Sequence, residues 1–173
     1  MAVNLSSKHI LNSNLGNMIN RALWDHRIPA QNLKLEVTET ALVENIDIAI
    51  EQLQKLRKLG CKIAIDDFGT GYSSLEYLQR LPLDVLKLDR AFVKEVEVSR
   101  KPLAIARTVC DLARLLDLQV VAEGVETISQ AELLESLGVG YLQGYWFRTP
   151  APGIEMTQWL ASDEAHRFER IFR

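Results

Sequence analysis

The chain has 173 residues, 47% of them hydrophobic and 25% charged, with nine Gly and five Pro, the composition of one globular domain with a full core, which excludes a disordered or fibrous chain. A formal charge of −3 supplies no basic field, so broad binding of DNA by phosphate neutralisation is excluded as well. No apolar run nears the ~20 residues that span a membrane, Met1-Ala2-Val3-Asn4 is not a basic-then-apolar signal, and Cys61 and Cys110 have neither disulfide nor metal-ligand spacing, so a reducing, cytoplasmic setting with both thiols in the core is expected.

Short aliphatic runs alternate with longer stretches of helical period, the pattern of parallel strands joined by crossover helices. The first run, 2–5 (AVNL), precedes helix-like segments that carry His9 and His26, and the second is 33–38 (LKLEVT). Ile46, Ala49, Ile50, Leu53 and Leu56 share one stripe of a helix that ends at Gly60, a residue suited to a left-handed cap. Run 61–66 (CKIAID) leads into a loop with two glycines and then a short helix, and run 84–89 (DVLKLD) precedes a helix striped by Leu103, Ala106, Val109, Cys110, Ala113 and Leu116. After run 118–123 (LQVVAE), Thr127-Ile128-Ser129-Gln130 is a capping-box pattern opening a helix through Ala131, Leu134 and Leu137 that stops at Gly138. Run 141–147 (YLQGYWF) is the last strand, and 154–173 reads as a closing, surface-packed helix with Met156, Trp159, Leu160 and Phe168. No linker divides the sequence, so 1–173 is read as a single domain. Six strand-helix units fit an open doubly wound sheet or part of a barrel, and periodicity alone does not choose between them.

Each run ends on a side chain that can hold a metal or a phosphate: Asn4, Glu36, Asp66 with Asp67, Lys87, Glu123 and Gln143. Strand side chains alternate with period two, so Asp66 shares a face with Ala64, and Lys87 with Val85, while Ile63, Ile65, Leu86 and Leu88 face the other way. The aliphatic faces must meet helices, and the polar ones converge on a common interior whose carboxyl-terminal mouth is where such folds bind ligands. A single acid at a strand end is more often a solvated loop residue or a helix cap; six strands in series with the same parity argue for a site. The carboxylates of Glu36, Asp66, Asp67 and Glu123 are the oxygen ligands that Mg2+ or Mn2+ prefer, and no Cys/His cluster points to zinc. His9, His26 and His166 read as surface or boundary residues. Adjacent aspartates let one carboxylate bridge two ions while the other binds one, the arrangement of two-metal phosphoryl chemistry. Lys87 could orient the attacking water, or could simply pair with the carboxylates. A Mg2+-dependent enolising barrel with Lys87 as base is a third reading.

In order, Val3-Asn4-Leu5-Ser6, Glu36-Val37-Thr38-Glu39, Asp66-Asp67-Phe68-Gly69-Thr70-Gly71-Tyr72-Ser73-Ser74, Leu86-Lys87-Leu88-Asp89-Arg90 with Phe92-Val93, Glu123-Gly124-Val125-Glu126 and Gln143-Gly144-Tyr145 resemble the EAL domain, over roughly residues 2 to 153. The resemblance implies an α/β fold, a TIM-like (β/α) barrel, that hydrolyses cyclic di-GMP to linear pGpG with two divalent ions, Mg2+ or Mn2+, Ca2+ being inhibitory. It implies that Asn4, Glu36 and Asp66 hold one metal, and that Asp66, Asp67 and Glu123 surround the second. Lys87 contacts the hydrolytic water, with Glu123 assisting. Gly69, Thr70, Gly71, Tyr72 and Ser73 form a loop over the mouth, anchored by Glu39, with Glu126 supporting the site from behind. Gln143 lies beside the site and Pro150 borders the guanine pocket, although Arg148-Thr149 depart from the family's usual Ser-Arg there. Homodimerisation through the segment after Lys87 is a further implication. The Glu-Ala-Leu segment that precedes the Val-Asn-Leu-Ser strand in the family is not in this sequence, so the expected architecture is an incomplete barrel of about six parallel strands, missing the N-terminal part. Activity is then expected to be impaired, and the open sheet edges at 2–5 and 141–147 to invite a homodimer or swapped assembly. The competing reading is an inactive module that binds cyclic di-GMP or a protein partner.

Overall fold

A computed structural model describes residues 1–43, 45–69, 75–163 and 165. Its strands are β1 (Ala2–Leu5), β2 (Lys34–Thr38), β3 (Lys62–Phe68), β4 (Val85–Leu88), β5 (Gln119–Glu123) and β6 (Tyr141–Gln143). The helices are α1 (Ser7–Ile10), α2 (Leu15–Asp25), α3 (Glu39–Val43), α4 (Ile46–Lys58), α5 (Leu75–Arg80), α6 (Arg90–Lys94), α7 (Arg100–Leu115), α8 (Ile128–Ser136) and α9 (Gly153–Leu160).

The strands lie in chain order, β1-β2-β3-β4-β5-β6, and every neighbouring pair is parallel. That order decides the question periodicity left open. A doubly wound sheet reverses its strand order at a switch point, whereas a steady progression around one side builds a barrel wall. Two apolar regions follow. Outward-facing Leu35, Val37, Ile63, Ile65, Leu86, Leu88 and Ala122 are at most 1% exposed and belong to the main core, which also takes in Leu53 and Leu56 of α4, Ala106 and Ala113 of α7 and Leu134 of α8. Inward-facing Ala64, Val85 and Val121 form a separate buried cluster, a small apolar floor beneath the polar strand ends.

The helix limits follow local chemistry. Gly60 and Gly138, at φ of +100° and +88°, adopt the left-handed backbone just past α4 and α8. At α8, Thr127 Oγ1 accepts from the Gln130 N–H at 3.1 Å, and Gln130 Oε1 accepts from the Thr127 N–H at 3.2 Å.

Two expected elements are shorter than the sequence suggested. β6 stops at Gln143 instead of continuing to 147: the Trp146 N–H donates to the Val125 carbonyl at 3.0 Å and the Phe147 N–H to the Gly144 carbonyl at 3.1 Å, so the chain turns back at once. The closing helix α9 ends at Leu160, capped by Ala161, Asp163 and Ala165 are again helical after that break, and the expected remainder at 164 and 166–173, with His166 and Phe168, lies outside the described residues. The short helix expected after the two-glycine loop is α5; α3 and α6 were not apparent in the sequence, because helices of one to two turns carry too few residues to establish a period.

Candidate active site at the carboxyl ends of the strands

Lys87, inward-facing on β4, is buried, and its Nζ contacts three carboxylates from three other strands: Glu36 Oε2 at 2.7 Å, Asp66 Oδ1 at 3.0 Å and Glu123 Oε1 at 2.6 Å. Sheet register explains the convergence. Glu36 pairs with Ala64, which pairs with Val85, and Lys87 pairs with Val121, so Glu36 lies beside the small apolar floor while Asp66, Lys87 and Glu123 each follow a floor residue by two positions on its own strand and face the same side. Burial by itself would drive the Lys87 ammonium toward neutrality; hydrogen bonds to Glu123, Glu36 and Asp66 outweigh it and hold its pKa above the ordinary lysine value. Burial pushes the Glu123 carboxyl up, with Lys87 acting in the opposite direction.

Asp67 owes its position to an irregularity in the sheet. The β3–β4 register shifts between Ile65 and Phe68, and Asp67 has a φ of +54°; such a bulge re-aims a side chain that strict alternation would send outward. As a result Asp66, Asp67 and Glu123 each bring a carboxylate oxygen within 4.8 Å of the others. Burial and the neighbouring charges of Asp66 and Asp89 raise the pKa of Asp67. Hard oxygen donors at this spacing suit one divalent cation, since oxygens on opposite sides of a Mg2+ ion lie about 4.2 Å apart. The donor set therefore fits the implied metal.

The remaining expected residues are distributed as follows. Glu39, buried at the start of α3, accepts the Gly69 N–H through Oε1 at 2.9 Å, while its Oε2 is buried without a partner among the described residues. Gly69 has a φ of +95°, and a Cβ there would stand 3.1 Å from the Phe92 ring, so both backbone and space call for glycine. Asn4 is the register partner of Glu36, and Gln143 that of Glu123; both are exposed, as is Pro150 beyond the turn after β6. Glu126 pairs with Arg90 at 2.8 Å. Thr70, Gly71, Tyr72 and Ser73 lie outside the described residues. His9 serves a local structural purpose, its ring Nδ1 lying 3.1 Å from Ser6 Oγ and accepting the Ser6 N–H at the start of α1.

Two further residues adjoin the site, Asp89 and Arg90, for which the sequence pattern implies no role. Asp89 caps α6 by accepting the Ala91 N–H at 2.7 Å and its carboxylate stands beside Asp67. Alternation with Lys87 was the signal that could have placed it on the inner face.

The family profile described as EAL domain matches residues 1–150. The chain belongs to the EAL domain family. It is 43% identical over 169 residues to the cyclic di-GMP phosphodiesterase NbdA of Pseudomonas aeruginosa, a match covering 98% of this chain and 21% of NbdA. Among solved structures it is similar to the PaMucR phosphodiesterase in its c-di-GMP complex, with a TM-score of 0.85 and 42% identity over 90% of this chain and 63% of that one. It is also similar to Klebsiella pneumoniae BlrP1 in a manganese/cy-diGMP complex, with a TM-score of 0.80 and 34% identity over 87% of this chain and 38% of that one. This EAL domain thus spans about a fifth of the length of the curated relatives it matches. Among its described residues no helix is long and apolar enough to cross a membrane.

Proposed function

We propose that this EAL domain is a metal-dependent phosphodiesterase that hydrolyses cyclic di-GMP to linear pGpG, using two divalent cations, Mg2+ or Mn2+. One observation carries the reading. Lys87 gathers Glu36, Asp66 and Glu123 within 3.0 Å of its ammonium, at the same mouth where Asp66, Asp67 and Glu123 form a metal-sized group.

In this reading Asn4, Glu36 and Asp66 hold one cation and Asp66, Asp67 and Glu123 the other. Bound there, the pair supplies a water activated at neutral pH and counter-charge for the attacked phosphate. The protein's own groups do the rest. Water attacks phosphorus, its proton passes to Glu123, and the P–O3′ bond breaks; the departing O3′ takes a proton from solvent to become the 3′-hydroxyl, and the linear product keeps a 5′-phosphate. Lys87, whose three carboxylate partners favour its protonated form in the metal-free chain, donates to the attacking oxygen. Gln143 and Pro150 border the nucleotide, Glu39 fixes Gly69 just past β3, and Glu126 supports the turn after Glu123. Ca2+, larger and less demanding in geometry, is expected to bind and inhibit. The free, buried thiols of Cys61 and Cys110 agree with a cytoplasmic setting. The partner is a second copy of the chain, meeting it through the sheet edges or the segment after Lys87.

The test is chromatographic detection of pGpG from cyclic di-GMP with Mn2+, for the chain alone and for a version extended by a Glu-Ala-Leu segment. Asp66→Ala is expected to lower turnover by more than about 100-fold, beyond the loss typical of removing a residue that merely supports a metal ligand. Binding of cyclic di-GMP without any pGpG from either version overturns the enzyme reading.

A further inference from the structure

Glu123 is the last residue of β5, and it has to hold its carboxylate at Lys87 while the chain leaves the strand. The next three residues are locked from two sides. Toward β6, the Val125 N–H donates to the Gln143 carbonyl at 3.1 Å and the Val125 carbonyl accepts from Trp146 at 3.0 Å; a Cβ at Gly144 would overlap the Val125 backbone. Toward α6 the contact is Arg90. Its side-chain carbons lie on Gly124, where a Cβ would overlap Arg90 Cγ and stand 2.9 Å from Cβ and Cδ. Its guanidinium reaches over to Glu126 Oε1 at 2.8 Å. Gly124 sits at a φ of +73°, so the turn takes a backbone that only glycine holds without strain, and Arg90 covers that glycine. The residue before Arg90 is Asp89, whose carboxylate stands beside Asp67. Two consecutive residues at the start of α6 therefore touch the surroundings of both Asp67 and Glu123.

The geometry points to Arg90 as a positioning residue for Glu123. It clamps the Gly124–Glu126 turn against α6 by aliphatic packing on Gly124 and an ion pair to Glu126, and so sets the separation between Glu123 and Asp67. The inference rests on the two-metal reading only for its consequence. The clamp itself is a property of the metal-free chain. An exposed ion pair contributes little to stability, and Arg90 and Glu126 are 57% and 41% exposed, so the pair is suited to fixing a local geometry without being needed for the fold. A rigid turn at this point also spares Glu123 the loss of conformational freedom on gaining a ligand.

Two measurements on the 173-residue chain test this, with Arg90→Ala, Arg90→Lys and Glu126→Gln beside the parent. Amide exchange by NMR without metal is expected to quicken about tenfold or more at Val125 and Glu126 in Arg90→Ala, with β2 and β3 amides and the thermal midpoint little changed; Arg90→Lys, which keeps the aliphatic stem and a charge, restores most of the protection. Mn2+ titration by calorimetry is expected to show affinity reduced about 10- to 100-fold in Arg90→Ala, the loss seen when a residue supporting a metal ligand is removed. Unchanged exchange at Val125 overturns the clamp, as does a rise shared by all amides, which would make Arg90 an ordinary stability residue. A parent chain that binds no Mn2+ sinks the two-metal reading, and the metal-free exchange comparison then still decides the clamp.

Discussion

At the scale of single residues, Lys87 has the most demanding position in the molecule. Its side chain is 5% exposed, and the carboxylates around it are 10%, 13% and 21% exposed. Removing one partner from such a cluster leaves the others buried and uncompensated, which typically costs about 3–5 kcal/mol. Lys87→Met is therefore expected to lower stability by that order in urea melts, and millimolar Mn2+ to restore part of the loss, because a divalent cation can replace the missing counter-charge and binds only the folded chain. The pH dependence has a definite sign. Since the native pKa of Lys87 is raised, its contribution is fully present below the unfolded value of about 10.4 and is lost as the pH rises through the higher native value. The stability gap between parent and Lys87→Met should stay flat from pH 7 to pH 9 and narrow only in strong alkali. A gap already shrinking at pH 8 would mean the ammonium is not held as described.

Among elements, the most constrained join is the one between β5 and β6. Register pairs Glu123 with Gln143, and the turn after each is packed against the other through Val125 and Gly144. Gly144→Ala would push a methyl group into backbone atoms, which cannot rotate out of the way, and overpacking of this kind costs about 1–3 kcal/mol. A fall in thermal midpoint of several degrees is expected for a chain of this size, together with weaker Mn2+ binding. Further along, the Arg148 guanidinium stands 5.5 Å from the Trp159 ring centroid, a cation–π contact that ties α9 to the segment following β6. The helix has no fully buried residue of its own, and Met156 and Trp159 are half-buried.

At the scale of the whole molecule, the described parallel wall has two outer strands, β1 and β6. Among the described residues β1 pairs only with β2, and β6 only with β5, so each offers an unpaired row of backbone groups, the usual template for association. Val3 on β1 is 41% exposed and Tyr141 on β6 is 55% exposed. Sedimentation velocity on the 173-residue chain should show concentration-dependent self-association, and Val3→Lys should shift it toward monomer, since a charge on an edge strand opposes pairing. A parent that sediments as a monomer at high concentration removes both proposed contacts, whereas association that survives Val3→Lys removes the β1 edge and points to the segment after Lys87.

The strand ends were legible because the signal is local. Period-two alternation placed Glu36, Asp66, Lys87 and Glu123 on inward faces, and Gly60, Gly138 and the Thr127–Gln130 box marked helix limits, each through chemistry confined to a few neighbouring residues. Contacts between segments decided what remained. The steady order of six parallel strands, which makes the sheet a barrel wall, depends on how distant segments pair, and no periodicity records it. The early end of β6 depends on Val125 backbone packed against Gly144, and the inward aim of Asp67 on a bulge that appears only when β3 is laid beside β4. Arg90 on Gly124 joins residues more than thirty positions apart. The sequence by itself determined which chemistry stands at the mouth, because residue type and parity are written in each strand; only the tertiary structure decided which of those groups meet, because that depends on register between strands.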